Sequence, residues 1–346
     1  MAQGERNLRM DALRVFAAFS VVLLHAAARS WDKHGLDFGA VVFFDAAVRY
    51  SVPVFVMLSG MFLLDPEREI PPQKLFRGHV LRLLPLLVFW ALAYASLDSV
   101  FLPFLRGEGL SWKPLFRISI LGDYHLWYLL MIIGLYLATP ILRLIATNRR
   151  VVWYYLALWA LFGVCGRMLS TLPGCSALGT LLTGRAHLNF FYGYTGYFLL
   201  GYALHTADLA ADRERLLRLL WPVGFLCIAI ATLLASWRTG KHAERYMSNF
   251  SVFVLLEAVG VFVSFDRSPS LGRLAQRPFF ARAVRALVPL TLGIYLVHPA
   301  VLSLCTRFFL EGPALLLVPV HFAAALVISA AGVFCVKKVP LLRKLM

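Results

Sequence analysis

The chain has 346 residues, 60% of them hydrophobic and only 15% charged, with a mean hydropathy of +0.74, which excludes an ordinary soluble domain with a polar surface. Its net charge of +16 invites a nucleic-acid reading, but the basic residues sit in short segments beside apolar runs, where membrane topology signals lie. The composition is that of a multi-pass membrane protein, expected as a single all-α unit over residues 1–346, with membrane lipid and no nucleic acid as its surroundings.

Ten apolar runs approach the roughly 20 residues that a helix needs to cross a hydrocarbon core about 30 Å thick. The first, over 11–28, holds Arg14 near its start and His25 near its finish. Eleven residues give about 16 Å of rise and return to nearly the same helix face, so both groups are expected on one track. The second run, 48–64, opens at Arg49 and contains the small pair Ser59 and Gly60, which suits close helix packing. The third covers 80–101. The fourth, 126–146, is introduced by His125 and Trp127 in GDYHLWYLL, and the fifth spans 151–169. The sixth, 188–206, carries Tyr192, Tyr194 and Tyr197, which suit an interfacial aromatic belt or a stacking surface. The seventh and eighth cover 217–236 and 248–266, the eighth with Glu257 near its middle. The ninth, 286–306, contains His298, and the tenth covers 314–336.

Most of the 34 lysines and arginines fall on one side of this alternation. They cluster before Arg14, from Arg68 to Arg82, from Arg143 to Arg150, from Arg213 to Arg218, from Arg267 to Arg285 and after Lys337. That bias predicts an even number of spans with both termini cytoplasmic. A cleaved signal peptide ending at Ala26–Ala28 is the competing reading of the opening, although Asp11 and Arg14 fit it poorly. The five cysteines have no metal-ligand spacing, and no metal is expected; Cys165 and Cys175 flank an outward segment where they could pair.

Ionisable groups at bilayer depth usually face a bundle interior or a water-filled cavity, because exposure to hydrocarbon is costly. Arg14 and His25 taken alone also fit a snorkelling arginine and an interfacial histidine. Glu257, His298, His125 and Arg49 add three kinds of polar group at the centre or outer half, and their shared depth favours a site.

The opening DALRVFAAFSVVLLH, in which Arg, ten residues and His recur in that order, resembles the first helix of the acyltransferase-3 family of integral membrane acyltransferases. SVPVFVMLSGMFLL after Arg49, YHLWYL and LGIYLVHP resemble it too, in order along the chain. The stretch from Arg49 to Leu64, with YHLWYL, is most similar to the branch that O-acetylates enterobacterial common antigen. The resemblance implies transfer of an acyl group, usually acetyl, from cytoplasmic acetyl-CoA or another acyl-CoA to a hydroxyl of a surface glycan or its lipid-linked precursor. The setting it implies is the bacterial inner membrane. It implies Arg14 as the donor-binding and catalytic arginine and His25 as the base; Arg82, among the basic residues of the cytoplasmic side, is a further donor-binding candidate. Asp11 orients Arg14 or caps the helix. Arg49, His125 and Trp127 are implied on the acceptor side; His298 is placed there, and Glu257 with the catalytic groups, mainly by depth. A proton-coupled transporter or flippase remains the alternative, since intramembrane Glu and His also build proton relays.

Overall fold

The structure, a computed structural model, describes residues 7–105, 107, 109, 115, 116, 118, 122–172, 174–185, 191–308, 312–340 and 342–345. Among these no strand occurs, and nine helical stretches are long and apolar enough to cross a membrane. The chain is a polytopic helix bundle.

Its centre is α1, Leu8–Ala28. Asn7 caps this helix, its side chain accepting from the Met10 N–H at 3.3 Å, and Asp11 in the first turn faces the positive end of the helix dipole. Capping therefore falls to Asn7, while Asp11 lies 4.0 Å from Arg14. Around α1 pack α2 (Gly35–Ala46), α3 (Ser51–Leu63), α9 (Val252–Arg267), α10 (Thr291–Phe308) and α11 (Ala314–Lys337). Between α3 and α9 in sequence come α4 (Leu81–Ser96), α5 (Trp127–Ala146), α6 (Arg149–Leu158), α7 (Thr195–Thr206) and α8 (Ala211–Thr239). The peripheral α8 exposes Leu216, Leu219, Val223, Leu226 and Ile230, an outward apolar surface that suits lipid rather than water.

Several expected boundaries shift, and each shift has a local cause. The second run begins at Gly35 rather than 48, because α2 and α3 form one 29-residue apolar stretch interrupted only by a turn at 47–50. Arg49 therefore lies inside this stretch and not at its mouth: the Tyr50 hydroxyl sits 2.6 Å from Ser20 Oγ, at mid-length of α1. The third stretch starts at Pro72 and passes through π-helical turns at Phe76–Val80 and Leu97–Phe101, with Pro85 between them. The sixth run yields only the 12 residues of α7, too short to cross a hydrocarbon core, and its positions 188–190 lie outside the described residues. Most of α7 is buried by other helices, so bilayer thickness does not set its length. Tyr197 is buried with it and donates to the Asn249 carbonyl at 2.6 Å, which removes it from any interfacial belt.

The small pair in α3 packs as expected. A Cβ on Gly60 would stand 1.8 Å from the Phe198 carbonyl oxygen, and one on Gly201 would stand 2.0 Å from that of Met57. The two backbones touch through reciprocal glycines, an approach no other residue type permits. All five cysteines are free, so Cys165 and Cys175 do not pair.

Candidate active site

Arg14 and His25 line one cavity of about 400 Å³, as the helical track of α1 predicts. Arg49, Ser59, His125, Trp127, Tyr128 and Tyr295 contribute further polar and aromatic walls, and Leu24, Val52, Phe55 and Ile132 supply apolar ones. Apolar walls with a few convergent polar groups characterise small-molecule sites.

His25 meets His298 at the far end from Arg14. The two rings lie edge to edge and nearly coplanar, with centroids 5.0 Å apart, an interplanar angle of 6° and His25 Nδ1 2.7 Å from His298 Nε2. The tautomers follow from the surroundings. His298 Nδ1 is 3.0 Å from the Ile294 carbonyl, which can only accept, so Nδ1 carries the proton and Nε2 of His298 is the acceptor. His25 must then donate from Nδ1, which leaves its Nε2 as a lone pair without a partner among the described residues. A neutral imidazole held in that tautomer is oriented to take a proton.

Proline chemistry positions His298. Pro299 interrupts α10, and the Tyr94 hydroxyl of α4 enters the helical ladder there, donating to the Leu296 carbonyl at 2.7 Å and accepting from the Ala300 N–H at 3.3 Å. A side chain inserted in an i to i−4 bond is a recognised source of a kink, and here it locks the His298 turn against α4. The Tyr295 hydroxyl donates to the His125 carbonyl, tying the same turn to the start of α5.

His125 is 1% exposed. Its Nδ1 is 3.1 Å from Asp123 Oδ2, and its Nε2 has no hydrogen-bond partner among the described residues. Arg49 is anchored to Asp45, with Nη2 donating to Oδ2 at 2.5 Å, and to the Met247 carbonyl at 3.2 Å; Trp31 Nε1 donates to the same Asp45 oxygen at 2.8 Å. Arg49 Nε is unpartnered. The site thus presents two unsatisfied buried nitrogens, which in native proteins call for a specific explanation such as a ligand.

Other expected residues fall elsewhere. Glu257 is fully buried but does not line the cavity; its Oε2 accepts from the Tyr50 N–H at 3.1 Å, so it props the turn that carries Arg49. Arg49 pairs with Asp45 instead, a residue the sequence reading passed over because it precedes the expected span. Arg82 is exposed and outside the cavity. Trp127 lines the cavity wall and lies 5.6 Å from the Tyr194 ring. His298 does not line it, and touches His25 instead. Among the described residues no group of three or more His, Cys, Asp or Glu is arranged to hold a metal ion.

A membrane-embedded helix bundle with an oriented histidine and an arginine on one cavity fits an integral membrane acyltransferase. Residues 7–337 match the acyltransferase domain that defines the acyltransferase-3 family. The chain belongs to that family. No curated protein and no solved structure gives a match.

Proposed function

We propose that the protein transfers acetyl from cytoplasmic acetyl-CoA to a hydroxyl of a surface glycan or its lipid-linked precursor, in a bacterial inner membrane. The observation that carries this reading is that Arg14 and His25 share one cavity, with His25 held by His298 so that Nε2 is free. Arg14, on the basic side of the chain, binds the anionic or carbonyl groups of the donor through its planar fork of donors. The acceptor hydroxyl gives its proton to His25 Nε2 as its oxygen attacks the thioester carbonyl. The C–S bond then breaks, and the departing thiolate takes the proton back from the imidazolium. Arg49 Nε, an unsatisfied donor beside the cavity, is the candidate to stabilise the carbonyl oxygen as it gains charge.

The similarity of the Arg49–Leu64 stretch to the common-antigen branch favours a glycan acceptor. Family membership favours acyl transfer over the proton-coupled transport also open from the sequence. The direct test is calorimetry of acetyl-CoA on purified protein beside Arg14→Ala and His25→Ala. Saturable binding that weakens about tenfold in Arg14→Ala, with His25→Ala binding donor but transferring no acetyl to any hydroxyl, is the expected result. Absence of binding at millimolar acetyl-CoA in a well-folded sample refutes the reading.

A further inference from the structure

A second cavity, of about 460 Å³, lies at the end of α1 away from Arg14. His25 lines both cavities and so stands between them. Its polar and aromatic walls are Arg29, Asp98, Asp123, Tyr94, Tyr124 and Ser303, with Leu97 and Pro299 among the apolar ones.

These groups divide into used and unused. Asp123 is occupied, accepting from the Tyr124 N–H at 2.7 Å and contacting His125 Nδ1 at 3.1 Å. Arg29 donates from Nη2 to Ser303 Oγ at 2.8 Å and also hydrogen-bonds the Tyr124 side chain, with further N–H donors remaining. Asp98, in the π-helical turn Leu97–Phe101 at the end of a membrane-length stretch, has no hydrogen-bond or ion-pair partner among the described residues. A carboxylate there faces the cavity with all its acceptor capacity open. Tyr94 and Tyr124 add aromatic surface beside it, Tyr124 with its ring centroid 5.3 Å from that of His25.

We infer that this outer cavity is the acceptor subsite, and that it takes an uncharged polyhydroxylated group, a neutral sugar ring. The inference rests on the acyl-transfer reading and adds the side of access and the charge class of the acceptor. Asp98 accepts hydroxyl hydrogens strongly but repels a phosphate or carboxylate, whereas Arg29 donates to hydroxyls but repels an ammonium. Hydroxyls satisfy both, and the tyrosine rings offer surface to the C–H face of a sugar. One hydroxyl bound here adjoins His25 from the side opposite the donor. The acceptor subsite therefore lies with Asp98, Arg29 and Ser303, while Arg49 and Trp127 belong to the donor cavity.

The test is thermal stabilisation of the full-length protein in nanodiscs, with acetyl-CoA measured in parallel. The probes are a panel of neutral sugars (methyl glycosides of glucose, galactose, mannose and rhamnose, with N-acetylglucosamine), glucose 6-phosphate and glucosamine. At least one neutral sugar is expected to bind saturably, with the phosphate and the amine at least about tenfold weaker, and Asp98→Asn to lose about tenfold in sugar affinity with acetyl-CoA affinity unchanged. Arg29→Gln serves as the second variant if Asp98→Asn does not fold, and predicts the same split. Glucose 6-phosphate or glucosamine binding as tightly as the best neutral sugar overturns the inference. So does the lack of saturable binding by any neutral sugar up to about 100 mM while acetyl-CoA still binds. Failure of acetyl-CoA itself to bind overturns the acyl-transfer reading beneath it.

Discussion

Replacing His298 by Ala removes the acceptor that fixes the tautomer of His25. The structure gives the magnitude. One part-buried hydrogen bond of 2.7 Å between two nearly coplanar rings is lost. A buried partner left unsatisfied costs about 1–3 kcal/mol, which corresponds to a five- to 150-fold loss in the population of correctly oriented His25, or about 10²-fold in kcat at the upper end. The loss should fall on kcat, with the KM for acetyl-CoA within about twofold, because the Arg14 end of the cavity does not touch His298. His298→Gln supplies a side-chain carbonyl that can accept from Nδ1 and should recover part of the activity, whereas His298→Leu should not. The assay is steady-state acetyl transfer in nanodiscs with a thermal melt on each variant to separate activity from folding. A His298→Ala enzyme with wild-type kcat, or a Gln variant no better than Leu, refutes the tautomer argument.

Two predictions concern the scaffold. Gly60→Ala places a methyl 1.8 Å from the Phe198 carbonyl oxygen, so α3 and α7 must separate; a loss of about 3 kcal/mol or more is expected, read as a lower melting temperature. Asp45 is fully buried and holds both Arg49 and Trp31, so Asp45→Ala leaves the guanidinium uncompensated and should cost about 3–5 kcal/mol, with Asp45→Asn clearly milder in the same melt.

Much of the fold was legible because hydrocarbon imposes a simple rule: each helix that crosses it must be apolar for about 20 residues, and hydropathy reads that directly. The rule fails where the surroundings are protein instead of lipid. The 12 residues of α7 and the polar turn at 47–50 escape it because neighbouring helices cover them, so neither had a hydropathy boundary to find. Asp98 and Asp123 were missed for a related reason: at span ends, acids look like solvated loop residues.

For the site, the sequence by itself determined the pairing of Arg14 with His25, because both sit on one helix whose 3.6-residue repeat fixes their relative direction. It also supplied the family motifs that name the same helix. Only the tertiary structure decided what the other polar groups do. His298 touches His25 across 273 residues of chain, Glu257 supports the Tyr50 backbone instead of the cavity, and Arg49 belongs to Asp45. Depth in the membrane is a one-dimensional quantity that a sequence can encode, whereas direction around each helix axis and the choice of neighbour depend on how the helices pack against one another.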